Sequence, residues 1–269
     1  MGIILQQGTV QRLKGAAMFV PVIAAIILSR DVAQWLFLAG ALIMVWEFCA
    51  MLQLSKALQA MLLLDFTLFA LPASLFMHLE MLAASPLLPA MLALGGMVAL
   101  FVGAITRDLA AAVFVGLLVL CILSGRTLLG LDGGHHLLLG LGFVVAVCDI
   151  AAYFVGRRVG GPRLAPAISP NKTFSGAAGG MFAAVIGSVI LLQLADVDSE
   201  SPFTLAYAAF AGIVIGILAQ VGDLFESLIK RRSGIKDSGQ LIPGHGGFLD
   251  RFDSYLLTLP ALYICSLAF

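Results

Sequence analysis

The segment from Asp223 to Asp253 holds the densest set of side chains that could do chemistry. If its start is helical, Asp223, Ser227 and Lys230 lie on one face, because residues three and four apart are neighbours on a helix. Asp250 and Asp253 are three residues apart, which also puts both carboxylates on one helical face. Carboxylate oxygens with cations nearby suit a magnesium ion that carries a chain of phosphates. The spacing therefore favours a site for phosphate and a divalent cation.

A glycine-rich stretch lies inside the same segment. Gly244, Gly246 and Gly247 flank His245 and follow Pro243. Glycines let the backbone come close to a ligand, so its N–H groups can reach phosphate oxygens. His245 has two interpretations: it donates to a phosphate oxygen, or it is a turn histidine bonded to the backbone.

The composition indicates where such a site would be. Hydrophobic residues make up 61% of the 269-residue chain and charged residues 11%, and the mean hydropathy is +1.07. Soluble domains have about 45–50% apolar and about 25% charged residues. Backbone groups in lipid must be hydrogen-bonded within the protein, which favours helices. We therefore expect an all-α, polytopic integral membrane protein, and the net charge of zero gives no indication of nucleic-acid binding.

A spanning helix needs about 20 mainly apolar residues, and about nine segments qualify. They cover roughly residues 15–29, 32–54, 57–78, 86–106, 109–124, 136–156, 176–195, 203–222 and 254–269. The first, preceded by Arg12 and Lys14, is expected to be a retained anchor, because no small-residue cleavage site follows it. With the N-terminus in the cytoplasm and the C-terminus outside, thirteen of the fifteen lysines and arginines face inside, and only Arg30 and Arg126 face outside. This asymmetry predicts the orientation.

The chain is predicted to divide into N-terminal transmembrane helices, residues 1–135, and a catalytic transmembrane region, residues 136–269. The second region contains two cytosolic polar loops, 157–175 and 223–253. Four acids, Glu47, Asp65, Asp149 and Asp223, fall within spans or, for Asp223, at the end of one, roughly 10–14 Å from the nearest cytosolic cation. Acids at this depth are usually functional, and a shared polar cavity would explain them. For Glu47 and Asp65 a local structural role is favoured, and for Asp149 and Asp223 a functional one.

Both loops resemble one enzyme family, the phosphatidate cytidylyltransferases, also called CDP-diacylglycerol synthases. In the second loop the matching residues are Ser227, Lys230-Arg231, Lys236-Asp237, Gly239, Ile242-Pro243, His245-Gly246-Gly247-Phe248, Asp250-Arg251 and Asp253. In the first they are Asp149, Ala152-Tyr153, Gly156-Arg157, Leu164-Ala165-Pro166, Ser169-Pro170, Lys172-Thr173 and Gly176. The chain departs from the family pattern at Ala151, usually Gly, and at Ser175, usually Glu or Gln.

The resemblance implies a magnesium-dependent reaction of phospholipid biosynthesis, in which CTP and phosphatidate give CDP-diacylglycerol and pyrophosphate. It implies Asp223, Asp250 and Asp253 as metal ligands and, with Lys230 and Arg251, as the catalytic set. The residues implied to bind CTP or the lipid phosphate are Asp149, Lys172, Ser227, Arg231, Lys236, Asp237, His245, Gly246 and Gly247. Asp149 could instead serve the metal, and Ser227 could instead cap backbone carbonyls. The resemblance leaves open whether a second cation assists and whether the chain forms a homodimer. The expected location is a bacterial-type inner membrane, with the site facing the cytoplasm.

Other functions compete with this interpretation. A CTP-dependent polyprenol kinase would share the architecture, but the His-Gly-Gly-x-x-Asp-Arg-x-Asp run argues against it. A CDP-alcohol phosphotransferase would need an Asp-x-x-Asp-Gly-x-x-Ala-Arg motif, which the chain lacks. An ion-coupled transporter could use the buried acids, but no inverted repeat is evident. The four cysteines lie in apolar runs and are predicted to be small buried side chains.

Overall fold

In the computed structural model, residues 19–70, 87–194, 202–242 and 246–266 are described, and most of them are helical. Arg12, Lys14 and His245 lie outside the described residues, as do residues 71–78 of the third predicted span. The helices are α1 (Phe19–Leu28), α2 (Arg30–Met51), α3 (Lys56–Ala70), α4 (Leu87–Thr106), α5 (Leu109–Gly130), α6 (Gly134–Val159), α7 (Phe174–Leu194), α8 (Pro202–Arg232), α9 (Leu249–Phe252) and α10 (Tyr255–Ser266). Two strands, β1 (Arg163–Ala165) and β2 (Ser169–Thr173), pair antiparallel.

Five of the described helices are long and apolar enough to cross a membrane. They are α2, α5, α6, α7 and the Thr204–Arg232 part of α8. Shorter apolar stretches occupy Ala93–Thr106 and Tyr255–Ser266. The prediction of an all-α membrane protein is thereby supported in its coarse form, while the count of nine spans and the orientation stay predictions. The small β-hairpin within the predicted loop 157–175 was not expected from the sequence.

Helix α8 is longer than its predicted span, which ended at residue 222. Its 31 residues extend over about 46 Å, whereas the hydrocarbon core of a bilayer is about 30 Å thick. The additional turns end in Lys230, Arg231 and Arg232. The predicted second loop therefore begins as a continuous helix, in agreement with the helical face assumed for Asp223, Ser227 and Lys230.

The chain packs as two compact units. The first comprises residues 1–136 and 229–252, and the second comprises residues 137–228 and 253–269. The predicted division at 135/136 concerns functional regions and stays a prediction.

In the first unit, the helix starts are set by local capping. The Ser29 side chain accepts a hydrogen bond from the Val32 N–H at the start of α2, and Asp108 accepts one from Ala110 at the start of α5. Such caps satisfy N–H groups that have no partner in the helix. Phe48 of α2 stacks on Phe114 of α5, with ring centroids 4.8 Å apart. These contacts fix α2, the helix that carries Glu47.

At one end of the first unit, Arg30 donates to the Leu129 and Gly130 carbonyls and pairs with Asp132. Arg30 thus pairs with an acid of the connection between α5 and α6, and the side of the membrane that it faces stays a prediction. In the second unit, glycines allow close helix packing. A Cβ on Gly176 of α7 would lie 2.7 Å from the Ala152 carbonyl oxygen of α6.

Of the four cysteines, Cys49, Cys121 and Cys148 are buried as predicted, and Cys265 is partly exposed.

Candidate active site

The carboxylate of Asp250 organises the second polar loop within the first unit. Its Oδ1 accepts from Lys230 Nζ at 2.6 Å, and its Oδ2 accepts from the Gly247 N–H at 2.8 Å. The Ser238 N–H donates to both oxygens, at 3.1 and 2.9 Å. The side chains of Lys230 and Asp250 are only 9% and 8% exposed. Asp250 thus holds three parts of the loop together: the end of α8, residue 238 and the glycine pair.

Burial alone would raise the pKa of Asp250, but hydrogen bonding and charge attraction from Lys230 outweigh it and the pKa is lowered. The N–H groups of Gly247 and Ser238 lower it further. Asp250 is therefore ionised at neutral pH. Its predicted role as a metal ligand stays a prediction, and a direct metal bond would have to compete with the donors that already hold both oxygens.

Glu47 of α2 is a second carboxylate that organises this loop. From the sequence, a local structural role was favoured for it. It is 1% exposed. Its Oε1 accepts from the Phe248 N–H at 2.9 Å, and its Oε2 accepts from the Leu249 N–H at 2.7 Å and from Ser238 Oγ at 3.0 Å. These partners lie some 200 positions further along the chain. The only signal in the sequence was a lone glutamate in an apolar helix.

The tight fit around these carboxylates explains several glycines of the motif. A Cβ on Gly239 would lie 2.6 Å from Glu47 Oε1, and one on Gly247 would lie 2.7 Å from Glu47 Oε2. Gly246 adopts a φ of +87°, and a Cβ there would lie 2.9 Å from Asp250 Oδ2. The N–H of Gly247 is used by Asp250, so the predicted phosphate contact of Gly246 and Gly247 stays a prediction.

The charged residues around this loop are more accessible. Arg231, Lys236, Asp237 and Arg251 are exposed. Arg231 donates to the Ile235 carbonyl at 3.1 Å. These side chains lie where a dissolved anion could reach them, and their contacts with a substrate stay a prediction.

In the second unit, the charges of three acids act on a fourth, Asp253. Burial raises the pKa of Asp253 well above its ordinary value, and the charges of Asp223, Glu226 and Asp149 raise it further. The Ser254 N–H donates to Asp253 at 2.6 Å and works in the opposite direction. The structure thus brings together the predicted residues Asp149, Asp223 and Asp253. Their mutual repulsion is unfavourable unless a cation compensates it.

Glu226 was missed by the sequence reasoning. Its side chain is fully buried, and it lies three residues after Asp223 on α8, the spacing that places two residues on one helix face. That spacing was the available signal. Glu226 adds a further negative charge to the surroundings of Asp253.

A lysine already offsets part of this negative charge. Lys172 Nζ lies 2.5 Å from Asp223 Oδ2, and both side chains are about a quarter exposed. Ser227 Oγ donates to Asp223 Oδ1 at 3.3 Å, so in the structure this hydroxyl serves the carboxylate. Lys172 is presented by strand β2 of the hairpin, which ends one residue later. The two polar loops therefore meet within the second unit at the Lys172–Asp223 ion pair.

The unusual Ser175 has a structural role at the start of α7. Its Oγ donates to the Gly160 carbonyl and lies 3.0 Å from Thr173 Oγ1. Thr173 Oγ1 in turn accepts from the Gly176 N–H at 3.1 Å. A small hydroxyl thus connects the end of α6 with the start of α7 in place of the longer side chain usual in the family.

The acids around Asp253 fit a magnesium ion by their chemistry. Among the described residues, no group of three or more His, Cys, Asp or Glu side chains is arranged to hold a metal ion by itself. Magnesium, however, is usually held by one or two carboxylates together with water and substrate phosphates. Asp223 and Asp253 carry carboxylate oxygens of the kind that magnesium prefers, and their role as its ligands stays a prediction. A site completed by the substrate is therefore compatible with these residues.

Comparison with known proteins supports the family resemblance of the two polar loops. Residues 10–269 match the cytidylyltransferase family. A phosphatidate cytidylyltransferase of Brucella suis is 49% identical over 121 residues, covering 45% of this chain and 43% of that protein. The enzyme of Staphylococcus haemolyticus is 43% identical over 133 residues, which cover 49% of this chain and 49% of that protein. The enzyme of Bacillus subtilis is 40% identical over 130 residues, which cover 46% of this chain and 47% of that protein. The matched stretch thus spans less than half of each relative. Because the family match covers nearly all of the sequence, the chain belongs to the cytidylyltransferase family.

Proposed function

We propose that this protein transfers the cytidylyl group of CTP to phosphatidate, giving CDP-diacylglycerol and pyrophosphate. The observation that carries the proposal is the acidic group of Asp223, Glu226 and Asp253 with Lys172 held against it, in a chain of the cytidylyltransferase family. The named activity of the matched relatives supports the same reaction.

In this reaction, an oxygen of the lipid phosphate attacks the α-phosphorus of CTP. The bond from the α-phosphorus to the oxygen bridging to the β-phosphorus breaks, and its electron pair leaves with pyrophosphate. The attacking oxygen is already anionic, so no protein nucleophile is needed. The main barrier is the repulsion between the phosphate groups, which positioned charges can lower.

The residues divide this work according to their charge. Asp223 and Asp253 would hold magnesium, with Asp149 and Glu226 adding negative potential and Asp250 contributing through water. When bound, the ion would neutralise phosphate charge and orient the reacting groups. Lys172 would exchange Asp223 for a phosphate oxygen when CTP enters.

The remaining basic residues would complete the binding of both substrates. Lys230 and Arg251 would stabilise charge at the reacting phosphates, and Arg231 and Lys236 would hold outer phosphate oxygens. Asp237, Ser227, His245 and the backbone of Gly246 and Gly247 would orient the nucleotide or the lipid headgroup.

We further propose that both loops face the cytoplasm from a bacterial-type inner membrane. The distribution of lysine and arginine supports this orientation, and the apolar helices support the membrane location. CTP is a soluble nucleotide, whereas phosphatidate stays in the bilayer. A site at the cytosolic edge of the membrane gives access to both substrates.

The test uses purified protein in detergent with phosphatidate, magnesium and CTP labelled either at the α- or at the γ-phosphorus. We expect label in the lipid phase from α-labelled CTP only, and none when EDTA is present. Lipid label from γ-labelled CTP would instead identify a lipid kinase. Absence of any lipid product, with ion flux in vesicles, would favour a transporter and contradict the proposal.

A further inference from the structure

The carboxylate of Glu47 ties the second polar loop to helix α2 at two places. Through Ser238 Oγ it holds the chain before the glycine-rich stretch, and through the N–H groups of Phe248 and Leu249 it holds the chain after it. All these partners belong to the first unit. Ser238 is also bonded to Asp250 through its N–H. Glu47 and Asp250 therefore act on the same two ends of one loop.

A carboxylate suits this position better than an amide. Glu47 accepts three hydrogen bonds through two oxygens, and each oxygen faces a backbone N–H. A glutamine would place its NH2 group against one of those N–H donors in either orientation, because it has only one acceptor oxygen. A buried donor without an acceptor is costly. The geometry therefore requires the acidic side chain and not merely a polar one of the same size.

Packing reinforces the attachment. The Phe248 ring stacks on Phe252 with centroids 4.4 Å apart, and a Cβ on Gly40 of α2 would lie 3.2 Å from the Phe248 ring. Gly239 leaves space for Glu47 Oε1 in the same way. The loop is thus seated on α2 by close backbone approach as well as by hydrogen bonds.

We propose that Glu47 is a positioning residue for cytidylyl transfer, which fixes the Ser238–Asp250 loop so that its basic and acidic side chains meet the phosphates in the reactive geometry. This inference rests on the proposed function. Glu47 itself is buried under the loop and does not touch the reacting atoms. Its influence reaches them through the main chain of residues 238 and 247–249.

The first experiment compares Glu47→Gln with Gln34→Leu. Gln34 is a matched control because it is also a buried polar residue of α2, and its Nε2 donates to the Leu129 carbonyl away from the loop. For Glu47→Gln we expect kcat to fall about 10- to 100-fold per folded protein, the effect of a small displacement of positioned groups. The KM for CTP should change less than about threefold. The control should lose thermal stability but keep its kcat.

The second measurement is amide hydrogen exchange without substrate. In Glu47→Gln we expect exchange at 247–249 to become about tenfold faster, because a donor has lost its acceptor, while α5 and α7 stay unchanged. If Glu47→Gln exchanges and turns over like Gln34→Leu, Glu47 has only a general structural role and the inference is overturned. An inactive wild-type protein would contradict the proposed function instead, and the exchange result would still decide the role of Glu47.

A milder variant covers the case in which Glu47→Gln does not fold. Ser238→Ala removes the hydroxyl that donates to Glu47 Oε2 and keeps the Ser238 N–H bond to Asp250. We expect a decrease in kcat of about three- to tenfold and faster exchange at 238–239. An unchanged kcat together with unchanged exchange in Ser238→Ala would contradict the inference.

Discussion

Replacing Lys230 by Met should strongly destabilise the protein, because it leaves the Asp250 carboxylate buried without its cation. At the observed 2.6 Å and an effective dielectric constant of 20, the attraction is about 6 kcal/mol. The cost of removing both charges from water offsets part of this attraction. Removing one partner of a buried ion pair typically lowers the free energy of unfolding by about 3–5 kcal/mol. For a chain of this size that corresponds to a decrease in Tm of roughly 6–20 °C.

The assay can use the cysteines of the chain. Cys49, Cys121 and Cys148 are buried, so a thiol-reactive fluorophore reports their exposure on heating in detergent. Arg232→Met is the matched control, since Arg232 pairs with Asp108 while 50% of its side chain is exposed. Such an exposed pair contributes at most about 1 kcal/mol, and its loss should lower Tm by less than about 4 °C.

The double variant Lys230→Met/Asp250→Asn separates stability from catalysis. It removes both charges, so most of the lost Tm should return while cytidylyl transfer stays at least about 100-fold reduced. A Tm of Lys230→Met equal to that of Arg232→Met would refute the reasoning about the buried pair. Activity that returns together with Tm would show that Lys230 has no role at the phosphates.

Three further predictions concern the second unit. Lys172→Met frees Asp223 from its ion pair, so magnesium alone should raise Tm at a lower concentration than in wild type, while kcat/KM for CTP falls. An unchanged magnesium concentration at half of the Tm increase would contradict a competition between Lys172 and magnesium for Asp223. The pKa of Asp253 is raised in the folded protein, so its ionisation weakens the fold as pH rises above about 4. In EDTA, Asp253→Asn should therefore raise Tm at pH 7 but not at pH 4, and it should abolish transfer. Equal Tm values of the variant and the wild type at pH 7 would argue against the acidic repulsion. Ser175→Ala removes the bond to the Gly160 carbonyl and should cost about 1 kcal/mol, measurable as a small decrease in Tm with turnover kept.

The sequence predicted the class of fold because apolar composition leaves few alternatives to membrane helices. It also predicted that Asp223 and Asp253 belong together, because both were assigned to the metal, and in the second unit the charge of Asp223 acts on Asp253. The hairpin that carries Lys172 was not predicted. Its strands have only three and five residues, and such short segments give too little alternation to be recognised.

Glu47 shows what sequence patterns cannot provide. Its depth in α2 could be counted, and the neighbouring Asp65 suggested a local contact. The actual partners, Ser238, Phe248 and Leu249, are bonded mainly through backbone groups, which leave no side-chain signature. A contact over some 200 residues depends on how the helices pack, and spacing within one helix carries no information about it. The same holds for Lys230 and Asp250, whose pairing joins a helix end to a loop.

The attachment of Glu47 also has a consequence for biogenesis. Ser238 and Leu249 are made 191 and 202 residues after Glu47, which at about 5–20 residues per second is a delay of roughly 10–40 seconds. During that interval α2 enters the bilayer with a carboxylate whose eventual donors have not been synthesised. Glu47 lies four residues before the end of α2, so its opposition to insertion is smaller than the about 2.5–3.5 kcal/mol of a charged residue at a helix centre. The apolar remainder of α2 has to overcome this opposition alone. Synthesis of residues 238–249, and not insertion of the early helices, therefore completes this part of the protein.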